Sequence, residues 1–203
     1  MLSVIKKDIL INTKFVIFTL LYSLFVPILL SADTDKPYWM ISVLLPLMNV
    51  GFTVGKAIYV EDSEEVQVFL KSLPLKYSTV VLSKYVQVAA ILLLTYVYAI
   101  LVEFFYTNNL RTVILGNMFS LFVYLVYFAV YLYLYYKKNY FYAQNSIYFL
   151  LVLGFALYFL FHNILKININ LKTINIEWLA VIDIVGILLF IISYRFSLKE
   201  ERN

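Results

Sequence analysis

The chain has 203 residues, a formal net charge of +4, no cysteine, and 64% hydrophobic against 14% charged residues, with a mean hydropathy of +0.88. Soluble domains carry about 45–50% apolar and about 25% charged residues, so a water-soluble globular fold is excluded, and the lack of cysteine removes a disulfide framework and a thiolate metal site. The positive balance does not describe a nucleic-acid partner, because the basic residues cluster in connectors and not on a folded basic face.

At the start, Leu2, Ile5 and Ile9 recur at helical spacing opposite Ser3, Lys6 and Lys7. The pattern suits a short amphipathic helix over residues 1–12, lying on the inner leaflet with its lysines near anionic headgroups, or else a simple positive flank. Lys6 and Lys7 before an apolar run, with Ser31-Ala32 as a crude cleavage site, also resemble a secretory leader. Leu30 occupies a position that wants a small residue and the charged leader is long, so the segment reads as a retained first span.

Six segments are long enough for a hydrocarbon core of about 30 Å, which needs roughly 17–25 helical residues: near Thr13 to Leu30, Trp39 to Val60, Thr79 to Tyr106, Thr112 to Tyr136, Tyr140 to His162 and Trp178 to Phe196. Alternating ten-residue barrel strands are not seen, so the expectation is one all-helical transmembrane domain over residues 1–203. Twelve of the sixteen Lys and Arg fall on one side of these spans, including both chain ends, and place both termini in the cytoplasm.

The cytosolic segment 61–78 is the one long charged interruption. Asp62 or Ser63 is positioned to cap a helix whose first turn holds Glu64 and Glu65, where the dipole favours negative charge, and Pro74 stops it. Val66, Phe69, Leu70 and Leu73 form one apolar stripe, and Ser78 is placed to cap the next helix. A helix this short is marginal alone in water. Its stripe must rest on the protein's own helix ends, on the lipid surface, or in a groove of a soluble partner.

Within the spans, Gly51-Phe-Thr-Val-Gly55-Lys56 mimics a phosphate loop. It has three residues between the glycines where four are needed, and Ala57 where Ser or Thr is needed, so no nucleotide site is assigned. Gly51 and Gly55 instead make a Gly-x-x-x-Gly pattern for close helix packing, inside the subunit or against a second membrane subunit. Pro27 and Pro46 are candidate bends. Tyr124, Tyr127, Tyr131 and Tyr135 share one helical face, suited to packing or to lining a path for an amphipathic cargo. Glu103 is expected to snorkel to outer water. Asp183 lies deeper, and both acids are candidates to face an outer vestibule and pair with Arg111, Lys166 or Lys172. His162 lacks metal partners, and no HExxH, paired-Asp or Ser-Lys catalytic set is found, so no enzyme is expected.

Glu61, then Leu70-Lys71-Ser72-Leu73-Pro74-Leu75, then Ser83-Lys84-Tyr85 resemble, in type and spacing, the membrane subunits of ABC-2-type ABC transporters. The likeness is to the short six-span bacterial kind, similar to permeases of phenol-soluble modulin or peptide exporters. Lys76 and Tyr77 stand where that family often has serine-arginine. The resemblance implies a bacterial cell-membrane permease that binds no cofactor itself, pairs with a second permease, the same or homologous, and contacts lipid. It also implies a coupling helix, Ser63 to Ser72, docking on a separate ABC ATPase subunit that holds ATP and magnesium. Coupling would involve Glu61, Glu64, Glu65, Val66, Phe69, Leu70, Leu73, Pro74 and Lys76, with Tyr124, Tyr127, Tyr131 and Asp183 as the substrate path. The alternative is a non-transporting immunity or assembly protein whose cytosolic helix anchors to lipid.

Overall fold

Runs of Leu, Ile, Val and Phe that must satisfy every backbone group without water have one local solution, the α-helix, even where β-branched residues slightly disfavour it. The computed structural model describes residues 2–31, 39–72, 76–146, 148, 152 and 176–200, and among them the protein is all-helical, with no strand. In chain order the helices are α1 (Leu2–Ile11), α2 (Thr13–Ser31), α3 (Trp39–Val50), α4 (Lys56–Glu61), α5 (Glu64–Ser72), α6 (Tyr77–Thr107), α7 (Leu110–Lys137), α8 (residues 140–146) and α9 (Ile176–Ser197). A π turn, Gly51–Gly55, joins α3 to α4 without ending the helical path.

Among the described residues four stretches are long and apolar enough to cross a membrane: Ile41–Glu61, α6, α7 and α9. The pair α1 and α2 makes up to five if taken as one bent span. The expected span from Tyr140 to His162 opens as α8 and then lies largely outside the described residues. Pro27 and Pro46 sit inside α2 and α3, but the sharp change of direction, 75°, comes at Asn12 between α1 and α2.

Paired contacts give the packing directions. Ser42 meets Glu103 and Asn49 meets Thr95, so α3 and α6 are antiparallel. α6 turns into α7 at Asn108, whose φ of 50° is a left-handed conformation that asparagine tolerates, and Asn109 caps α7 by accepting the Thr112 N–H. Ala129 pairs with Ser193 and Tyr133 with Phe196, so α7 and α9 run parallel along the most extensive helix contact of the molecule.

Close approach at that contact depends on Gly186, where a Cβ would meet Phe122 at 3.0 Å and Leu125 at 3.4 Å. The Gly51 and Gly55 pair has more room. Among the described residues a Cβ at Gly51 would meet nothing within 4 Å, and one at Gly55 only the Tyr131 hydroxyl at 3.7 Å.

Candidate coupling site

One end of the bundle gathers α1, α5, the start of α6, α8 and the C-terminal turn of α9. α5 agrees to one residue with the expected coupling helix. Glu64 and Glu65 are exposed in its first turn, Val66 is half-buried and Val68 is 69% exposed. The side chains of Phe69 and Leu70 lie outside the described ones, as do Leu73 and Pro74. The expected caps act differently. Ser63 Oγ donates back to the Val60 carbonyl, and α6 begins at Tyr77, after an extended Lys76 and ahead of Ser78.

The two roots of this excursion are Glu61, the last residue of α4, and the first turns of α6. Glu61 is buried, not offered to a partner at the surface. Its Oε1 accepts from Lys7 Nζ at 2.8 Å, and its Oε2 lies 3.0 Å from Lys84 Nζ. Lys84 also reaches Asp8 Oδ2 at 2.7 Å, and Asp8 Oδ1 lies 3.3 Å from Lys7, which closes a ring of alternating charge. Gln87, one turn beyond Lys84 on the same face of α6, donates to Asp8 Oδ2 at 2.7 Å. Lys84 is fully buried, a position a lysine takes only when paired.

α1 precedes the expected first span, Thr13 to Leu30, and its charges are half-buried or buried against their partners on α4 and α6. Burial pushes the Asp8 carboxyl up, but Lys84, Gln87 and Lys7 outweigh it and hold the group below the ordinary carboxylate range. Burial likewise presses the Lys7 ammonium down, and Glu61 and Asp8 more than offset it, leaving it above its ordinary value.

Successive helix residues point about 100° apart, and Ser83-Lys84-Tyr85 uses that spread. Lys84 turns to α1 and α4, while Tyr85 turns to α9, where its hydroxyl lies 2.7 Å from Ser193 Oγ and 2.9 Å from Ser197 Oγ. Ser193 spends its one proton on the Ala129 carbonyl, so Tyr85 donates to Ser193 and accepts from Ser197. The segment is tied twice more. Asp62 Oδ2 accepts the N–H of Tyr140 at the start of α8, and Tyr77 OH donates to the carbonyls of Ser197 and Glu200.

A family model described as ABC-2 family transporter protein matches residues 3–200. The chain belongs to the ABC-2 transporter family. This ABC-2 permease is therefore a multi-pass membrane protein. The family's members are typically non-catalytic membrane subunits, served in general by ABC ATPases. No curated protein and no solved structure matches the chain.

The permease's candidate path residues do not act as one set. Tyr124 donates to the Val43 carbonyl and is used in packing. Tyr127 and Tyr131 line a cavity of about 110 Å³ with Phe128, Val88, Gln144 and the two glycines of the π turn. Asp183 is buried on α9, and its Oδ1 has no partner there either.

Glu103 does not snorkel. It is 3% exposed, accepting from the Asn117 amide at 2.7 Å and from the Ser42 N–H at 3.0 Å. Ser42 is the fourth residue of α3, so a carboxylate beside it lies near that helix's N-terminal end, where the dipole favours negative charge. Arg111 is exposed, whereas Lys166 and Lys172 lie outside the described residues.

Sequence reasoning missed Asp8, Lys7, Lys84 and Gln87 as a site. Lysines near span ends look like topology signals, and only the i, i+3 pair of Lys84 with Gln87, inside an otherwise apolar stretch, marks a face that needs an acid.

Proposed function

We propose that the chain is the permease subunit of an ATP-driven exporter in a bacterial cell membrane, with six spans and both termini in the cytoplasm. α5 is its coupling helix, seated on a separate ATPase subunit that binds ATP and magnesium, and the permease pairs with a second permease, the same or homologous. Its cargo is hydrophobic or amphipathic, such as a peptide. The observation that carries this is α5 itself: a short helix outside every span, with an exposed acidic first turn and an exposed Val68, whose two roots are bonded to α1, α8 and α9. A push on α5 therefore reaches the spans without being absorbed by a loose loop.

Two further facts support the topology. Twelve of sixteen basic residues fall on the α5 side. α7 ends at the α5 end and α9, parallel to it, begins at the far end, an arrangement that six spans require. The cavity at Tyr127 and Tyr131 offers apolar walls with tyrosine and glutamine side chains among them, the chemistry an amphipathic cargo needs.

The test is co-purification in mild detergent. The tagged wild type is expected to bring down a nucleotide-hydrolysing chain, and Glu65→Lys with Val68→Asp to lose it while insertion is unchanged. Absence of any such partner, or retention by the double variant, overturns the coupling role of α5 and leaves a lipid-anchored, non-transporting protein as the better account.

A further inference from the structure

The charge ring joins three pieces that share no backbone hydrogen bonds. Lys7 and Asp8 come from α1, Glu61 from the entry root of the coupling segment and Lys84 from its exit root. Each charge has two neighbours of opposite sign, and the ring is neutral as a whole. Pulling one member away strands a charge in a poorly hydrated place, which is far more costly than moving the ring intact. Beyond the ring, the chain turns at Asn12. Its buried side-chain amide donates to the Asp8 carbonyl, and its own carbonyl accepts the N–H groups of Phe15 and Val16 at the start of α2. The 75° bend is thus held by bonds on both sides of one residue.

We propose that Lys7 and Asp8 are positioning residues of coupling, which make α1 move as one body with the roots of α5 and so pass the motion through Asn12 to α2. The inference rests on the coupling role of α5 proposed above. It gives the N-terminal segment a task that neither a headgroup anchor nor an orientation flank has. The outward residues of α1 fit this role: Ile9 and Leu10 are exposed and apolar, so α1 slides in the membrane interface while its polar face stays with the ring.

The chain has no cysteine, so introduced pairs label cleanly. Spin labels at Ile9→Cys and Val68→Cys report α1 against α5, and labels at Val68→Cys and Phe119→Cys report α5 against the bundle; all three positions are exposed. Pulsed distance measurements are made on the permease with its co-purified ATPase, nucleotide-free and trapped with ATP and vanadate. With the ring intact, the α5–bundle distance is expected to shift between states while the α1–α5 distance keeps one narrow peak.

Asp8→Asn is expected to broaden the α1–α5 peak and make it state-dependent. Should that variant misfold, Lys7→Gln at the half-exposed rim of the ring is expected to do the same more mildly. An α1–α5 distance that changes with nucleotide in the intact ring, or that stays narrow when the ring is cut, overturns the inference. ATPase binding is scored on the same samples: retained binding with an uncoupled α1 overturns only the role of the ring, whereas lost binding with a narrow α1–α5 peak overturns only the coupling role of α5.

Discussion

At the α5 end of the bundle, the buried Asp8, Glu61 and Lys84 and the half-buried Lys7 make two cations and two anions, every one within 3.3 Å of its opposites. At the far end, Glu103 and Asp183 are buried as acids with no ion-paired base among the described residues, and the Tyr96 hydroxyl, Asn117 Oδ1 and Asp183 Oδ1 lack hydrogen-bond partners there. Both regions place polar groups where water is scarce, and they hold them in different ways. The ring turns every charge toward its own members and Gln87, so it acts as a joint. At the far end Glu103 still ties α6 to α3 and α7, while the Tyr96 hydroxyl, Asn117 Oδ1 and Asp183 Oδ1 keep bonding capacity in reserve.

The largest effect expected from this contrast is at the centre of the ring. Lys84→Met leaves Asp8 and Glu61 buried with only the rim cation Lys7, and breaking a buried pair in this way costs about 3–5 kcal/mol. The measurement is the unfolding midpoint in detergent. Replacing Lys7, Asp8, Glu61 and Lys84 together with apolar residues of similar volume is expected to recover most of the loss, since an all-apolar cluster strands no charge. If Lys84→Met costs no more than a surface substitution, the ring is not closed and the contrast collapses.

The next effect is a pH dependence confined to the ring. Asp8 faces Lys7 and Lys84 with Gln87 beside them and Glu61 across the ring, and its carboxyl is held below the ordinary range despite the opposing pull of burial. A group whose folded pKa is lowered contributes stability that is complete above the unfolded value, about 4 for Asp, and that is lost as the pH falls from there through the lowered value. The unfolding midpoint should therefore drop on acidification below about pH 4, and Asp8→Asn should remove that part of the slope. A slope unchanged by Asp8→Asn would show that other carboxylates carry the acid response.

How much of this was legible in the sequence follows from what each residue's neighbours reveal. The helices of the described spans were readable because lipid leaves apolar runs no alternative to helix, and α5 because an acid-led amphipathic stretch followed by proline has a local cause. The family likeness was likewise visible in Glu61, Leu73-Pro74 and Ser83-Lys84-Tyr85. The ring was not legible, since its contacts join residues up to 76 positions apart and each member has an ordinary local excuse. Lys7 and Lys84 look like flank lysines, Asp8 like a surface residue, and Glu61 like a contact for a partner. Nor did sequence place Glu103, whose partners, the Ser42 N–H on α3 and the Asn117 amide on α7, lie on other helices. The glycine that lets α7 and α9 touch, Gly186, belongs to no motif, whereas the conspicuous pair Gly51 and Gly55 borders a cavity.

The smallest stability effect belongs to Asp183, and it sharpens the contrast most. Asp183 Oδ1 has no partner among the described residues, so Asp183→Asn removes a charge without breaking an ion pair. The change in stability is expected to stay within about 0.5 kcal/mol or to be favourable, because burying a polar group is costly when its bonds go unmade. Transport, measured as cargo release from energised vesicles, is expected to fall in the same variant if the reserve bonding capacity at the far end serves a passing molecule. Stability retained with transport lost would assign Asp183 to the path, and stability and transport both retained would remove it. A loss of several kcal/mol would instead mean that Asp183 is a joint like the ring, and the two ends of the molecule would then differ in sequence but not in kind.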